Sequence, residues 1–417
     1  MSGVRHTRSG AAGFTLVELM VALTGGLFVS LAVFALARDS GRFYQREARI
    51  ANATIGGLLG FERLRSDIAR AGFMSSPNIK LDPRQCGKPD GLWPNNLRNL
   101  ASIQVSAAAI VYPTLTANGR TPPQVLLAGA YTSSDLFSAQ ITATGANTII
   151  QLEPSQPALL RMGSGANPTN SMMTDAFPSG KALRIVQYGR TYFGQIIGAT
   201  GAPGIPTVTL NATPPVQPWG SNNTCGVHPV GSNTLATVNV VNFIHYDLRN
   251  LAANAQTPQA KATYASLYND SAAGPGEAQR TELVRIEQDV TGTAISGTEE
   301  IVAEYAVDLD LQLNAVTATL GVDPQVSTIT STDARFSTFT APTFLGASTP
   351  ELIRSVRVRL GVRSREGDRA NTVADPTGNG LFRFNLGTGG AGTIDSYARV
   401  RTFQADIALH NQADVLW

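Results

Sequence analysis

The sequence predicts an α+β protein in which one long N-terminal helix leads into a large β-rich domain. Three observations carry that expectation. From Phe14 to Ala37 run 24 residues whose only charge is Glu18. Past Arg38, Phe61, Leu64, Ile68 and Ala71 recur at the helical spacing of three and four. After Gly72 the chain changes to short β-branched runs, in a sequence holding 40 Gly and 23 Pro, which is the punctuation of strands and turns.

The apolar run comes first. At about 1.5 Å per residue it makes a helix of roughly 36 Å, against a bilayer core of roughly 30 Å. Residues 1–13 carry Arg5 and Arg8 and no acid, which keeps this leader cytoplasmic and sends the 380 residues after Ala37 across. Glu18 lies at membrane depth, where a carboxylate costs roughly 2.5–3.5 kcal/mol, so it requires a partner. Two plainer readings share this run. One is a simple transmembrane anchor. The other is a cleaved secretory signal, since Ala35-Leu36-Ala37 has the small-x-small form of a cleavage site. Length and Glu18 oppose the second, because an h-region is about 7–15 residues long and uncharged. No Cys follows closely, which excludes a lipoprotein anchor.

Gly13-Phe14-Thr15-Leu16-Val17-Glu18-Leu19-Met20 resembles the class III signal of type IV prepilins and pseudopilins. The resemblance implies that a membrane peptidase cuts after Gly13, methylates the new N-terminal Phe14 and leaves the apolar helix in the mature protein. Glu18 is then the acid that pairs with a neighbouring subunit's terminal amine during assembly. Opposite buried charges neutralise each other and so set the axial register. Many major pilins carry a helix-kinking Pro late in this segment, and this chain has none; Gly25-Gly26 is its one weak point, the place for any local melting in a filament.

From residue 38 to 72 the helix continues in amphipathic form. Arg63, Arg65, Asp67 and Arg70 occupy the side opposite the apolar stripe, which must dock on the globular domain. Gly56, Gly57 and Gly60 weaken its middle and predict a bend. The segment from Phe61 to Phe73, with Asp67-Ile68, Ala71-Gly72 and then an aromatic, is similar to the helix end of PilW-like minor pilins.

Residues 73–417 read as a β-rich extracytoplasmic domain with room for two lobes. Strands are expected over 101–112, 183–197, 238–248 and 281–286, with a hairpin from Gln140 to Leu152. The stretches 199–234 and 252–280 read as loops. Glu300 onward reads as a short helix passing into an alternating strand, with Asp308 and Asp310 on its wet face. Ile353 to Arg365 alternates apolar and basic residues. The run from Val400 to Asn411 resembles the closing strand of PilW-like proteins, which ends in Leu-basic-Asn.

Little chemistry is legible. The net charge of +2 implies no strongly charged partner. No zincin, nucleophile-elbow or P-loop pattern occurs. Gly387 to Gly392 fits G-x-G-x-x-G but precedes no helix, so it reads as a turn. His245 reads as a packed strand residue. Arg354, Arg357, Arg359, Arg363 and Arg365 form a basic stripe of the sort that contacts phosphates, although acids elsewhere balance it, and nucleic acid is not expected. Cys86 and Cys225 form a disulfide or remain two free thiols. Outside the cytoplasm the bridge is the expectation, closing about 140 residues.

Together the resemblances imply a minor pilin that helps initiate a type IV pilus at or near its tip, with no catalysis and no cofactor of its own. Its implied partners are the prepilin peptidase, other minor pilins, the major pilin, a tip adhesin and, before assembly, the inner membrane. A J-type pseudopilin of type II secretion shares the signal, although those ectodomains are generally shorter. A membrane-tethered periplasmic enzyme or binding module is the alternative of another class.

Overall fold

In the computed structural model, the described residues are 15–107, 110–143, 147–219, 225–228, 235–251, 257, 262–264, 280–317, 325–331, 333, 335–336, 339, 349–365, 367, 381–387 and 397–413. Their contacts divide the chain into two units, Met1–Asn52 and Ala53–Trp417. Helix α1 (Leu16–Ala69) runs as one unbroken helical element through Gly25-Gly26 and through Gly56, Gly57 and Gly60, the positions that read as its weak points in the sequence.

The glycines of the second unit explain why. A Cβ on Gly57 would stand 2.5 Å from Val362 and 2.6 Å from Phe403, and one on Gly60 would stand 2.3 Å from the Val302 carbonyl. They are sites of close approach, not of weakness. The cost of Gly in a helix, about 1 kcal/mol each, is offset by the packing it permits.

Ten strands form the first sheet: β1 (Ile103–Ser106), β2 (Gln124–Gly129), β3 (Phe137–Ala143), β4 (Thr148–Leu152), β5 (Ala182–Gln187), β6 (Arg190–Thr200), β7 (Thr207–Leu210), β8 (Ala236–Arg249), β9 (Glu282–Gln288) and β10 (Glu300–Ala303). Five more form the second, in the order β12-β11-β13-β15-β14: β11 (Ala306–Thr317), β12 (Gln325–Ile329), β13 (Ile353–Arg363), β14 (Arg383–Asn385) and β15 (Tyr397–Ala408).

The first sheet is two structures that share one strand. Ala236 to Val241 of β8 pairs with β3 on one side and β5 on the other. Because β3, β4, β7, β6 and β5 are themselves paired in that order, the ring closes into a six-stranded antiparallel barrel. Its interior is apolar, with Ile141, Ile150, Leu183, Ile196, Val208 and Val238 all buried. From Asn242 onward β8 changes partners to β2 and β9 and becomes the centre of an open sheet edged by β1 and β10. Closure removes strand edges and needs no partner protein.

The open sheet, the second sheet and the end of α1 share one core, in which Leu64 and Ile68 meet Ile244, Tyr246, Leu309 and Val358. Phe61 stacks on Phe403 with ring centres 6.1 Å apart.

Several expectations are corrected. Glu300–Ala303 is an edge strand on β9, since pairing decides so short a segment over helix propensity. The predicted loop at 199–234 contains β7, an integral stave of the barrel. The strand at 101–112 shrinks to Ile103–Ser106, ahead of a short helix that opens at Pro113. The expected hairpin is found, with Gln140 opposite Gln151. The predicted loop at 252–280 falls largely outside the described residues, as do residues 388–392 of the glycine-rich turn.

Candidate functional site

Gly13 and Phe14 lie outside the described residues; Thr15 and Glu18 lie within them. Glu18 Oε2 accepts from the Thr15 backbone N–H at 2.9 Å and from its hydroxyl at 3.0 Å, while the Glu18 N–H donates to the Thr15 hydroxyl at 3.3 Å. This is a capping box, which satisfies the free N–H groups at the start of α1. Its signature, Thr-x-x-Glu, stands openly at 15–18, yet the sequence reading assigned Glu18 only to assembly. Oε1 takes part in none of these bonds, so capping the helix uses only one oxygen of the carboxylate.

Behind this cap, as far as Ala37, the helix is apolar on every face. A window of 18 residues averages a hydropathy of 2.3 with none of it buried, so the helix is long and apolar enough to cross a membrane. Leu16, Phe28, Phe34 and Leu36 are each more than two-thirds exposed. Exposed apolar surface of this extent marks a membrane or protein contact.

The far end of α1 is locked by a polar cluster that sequence reasoning misplaced. Asp67, expected on the wet side, is buried. Its Oδ2 accepts from Tyr246 Oη at 2.8 Å and from Arg285 Nε at 2.7 Å, and its carbonyl accepts from Tyr131 Oη at 2.9 Å. Burial, and then the charge of Asp67, push both phenols well above their ordinary value, so both stay protonated as donors. Arg70 donates to the Ala130 carbonyl at 2.9 Å and lies over the Tyr131 ring.

At Gly72 the chain leaves the helix with φ +77, and a Cβ there would stand 2.4 Å from Ser102 Oγ. Asn411, past the end of β15, donates to the Ala71 carbonyl at 3.0 Å. The end of the first helix, 61–73, and the closing stretch of the chain, 400–411, therefore meet in space.

Cys86 and Cys225 form a disulfide, with Cα atoms 5.2 Å apart. It ties the connection between α1 and β1 to the connection between β7 and β8. Cys86 N–H donates to the Thr191 carbonyl at 2.9 Å, and Tyr192 Oη donates to the Gly226 carbonyl at 2.7 Å.

The basic stripe of β13 is largely neutralised across strands. Arg357 is bidentate on Asp406, Arg359 binds Asp308 at 2.7 Å, and Arg363 is buried beneath Tyr305. Asp308, expected on a wet face, is buried between Arg359 and Arg120. His245 is packed on β8, 3.1 Å from Gln124 Oε1, and burial holds its pKa below the ordinary imidazole range. Among the described residues no cluster of three or more His, Cys, Asp or Glu is arranged to hold a metal ion. Comparison with protein families, with curated proteins and with solved structures finds no match.

Proposed function

We propose that the chain is a PilW-like minor pilin of a type IV pilus, held in the inner membrane by its apolar helix before assembly and carried at or near the filament tip afterwards. The observation that supports this reading most is the start of α1. A carboxylate is engaged with Thr15 at the head of a helix that is apolar on every face as far as Ala37, directly after a Gly-Phe junction. A capping role alone would serve any helix, but a carboxylate at membrane depth is costly, and a bundle of such helices offsets that cost by pairing it with the terminal amine of a neighbour. In this mechanism prepilin peptidase removes residues 1–13 and methylates Phe14. The helix then leaves the bilayer and packs with those of other minor pilins and the major pilin, while the β domain faces outward toward neighbouring subunits or an adhesin.

Mass spectrometry of the mature amino terminus tests processing. N-methyl-Phe14 is expected; an intact Met1 would mean a simple anchor, and Arg38 a secreted protein. Glu18→Ala tests assembly: the variant should be processed yet poorly incorporated into pili, and normal piliation would refute the assigned role.

A further inference from the structure

We infer that a cavity between the β1–β2 connection and β11 binds a small carboxylate with an apolar body, using the side edge of Arg120. The cavity has a volume of about 630 Å³, and its wall joins the apolar Val111, Leu115, Leu309 and Phe336 to two arginines, Arg120 and Arg359, and the two acids that pair with them, Asp308 and Asp310. That is the size and character of a site for a small organic molecule.

Arg120 supplies the specificity. Its side chain is only 10% exposed, and Nη1 donates to Asp308 Oδ1 at 3.1 Å. Its two other nitrogens, Nε and Nη2, have no hydrogen-bond partner. Those two atoms form one edge of the guanidinium, the parallel fork that matches the two oxygens of a carboxylate. The same chain uses this edge repeatedly. Arg335 holds Asp333 through Nε and Nη2, Arg357 holds Asp406 in the same way, and so does Arg249 with Asp247. In Arg120 the fork faces no carboxylate of the chain.

Asp308 is shared between Arg120 and Arg359, and Asp310 lies 3.3 Å from Arg359, so two arginines and two acids balance in charge, and what the free edge of Arg120 lacks is a hydrogen-bond acceptor rather than a counter-ion. A buried charged donor left unpaired is costly, and an incoming carboxylate removes that cost. Neither nitrogen is accessible to water. Reaching them requires the wall around Arg120 to part as the carboxylate enters. This inference stands independently of the pilin reading.

Phenylacetate and its neutral counterpart phenylacetamide are the probes, titrated calorimetrically into the detergent-solubilised full chain. The acid should bind one to one and roughly tenfold tighter than the amide. Arg120→Gln should abolish that preference. Ala107→Trp, which fills the cavity and leaves the Arg120–Asp308 pair intact, should abolish binding of both, and it decides the matter should Arg120→Gln fail to fold. Equal binding of acid and amide, a preference that survives Arg120→Gln, or no binding of the acid at about 10 mM would overturn the inference.

Discussion

Asn411 donates its side-chain amide to the main-chain carbonyl of Ala71, 340 residues earlier in the chain. This bond ties the turn that follows α1 to the segment that follows the final strand, so two stretches far apart in the chain close on one another. Asn411→Ala should cost about 0.5–1.5 kcal/mol, the worth of a single hydrogen bond. Asp67→Ala, one turn earlier, should cost about 3–5 kcal/mol, because it leaves the Arg285 guanidinium buried without its partner. Urea denaturation of both variants checks the ranking, and an Asp67 variant as stable as that of Asn411 would contradict it.

The same cluster predicts loss of stability in alkali. Tyr131 and Tyr246 have folded pKa values raised above the ordinary value of 10.0, through burial and the charge of Asp67. Below about pH 10 both states hold the phenolic proton; above it only the folded state does, so stability must fall as pH rises. The slope should be about 1.4 kcal/mol per pH unit for each tyrosine. Tyr131→Phe should roughly halve it. Urea midpoints that do not move between pH 9 and pH 11 would rule the effect out.

The α1 glycines make an internal comparison. A side chain on Gly60 meets the Val302 carbonyl at 2.3 Å, whereas one on Gly56 meets nothing within 4 Å. Gly60→Ala should therefore destabilise by about 1–3 kcal/mol or more, as overpacking does. Gly56→Ala should stabilise by up to about 1 kcal/mol through helix propensity. Equal shifts in Tm for the two would mean that the close packing on β10 is not realised in solution.

Reducing the Cys86–Cys225 bridge, which spans 139 positions, should lower stability by roughly 5 kcal/mol on the chain-entropy estimate. The loss should concentrate in the barrel, so hydrogen exchange at β6 should accelerate more than at β13. Uniform acceleration would argue against a bridge that acts locally.

What the sequence revealed was what lies in local periodicity. The apolar run, the stripe of Phe61, Leu64 and Ile68, and the hairpin opposite Gln140 all follow from spacing. What it concealed depends on partners far along the chain. Asp67 looks like one more charge on a wet helix face, and only the distant Arg285 and Tyr246 make its burial tolerable. The arginines of β13 look like a phosphate-binding stripe until Asp406 arrives opposite Arg357 and Asp310 opposite Arg359. Barrel closure was illegible for the same reason, since nothing local in β8 announces that it changes neighbours between Val241 and Asn242.

That hand-over has a mechanical meaning. One covalent backbone of 14 residues serves as a stave of the barrel and as the central strand beneath α1. Tension applied to the barrel passes along β8 into the sheet with no flexible joint in between. Nor can the barrel be excised as a cassette, because its removal would take with it the strand to which β2 and β9 are stitched.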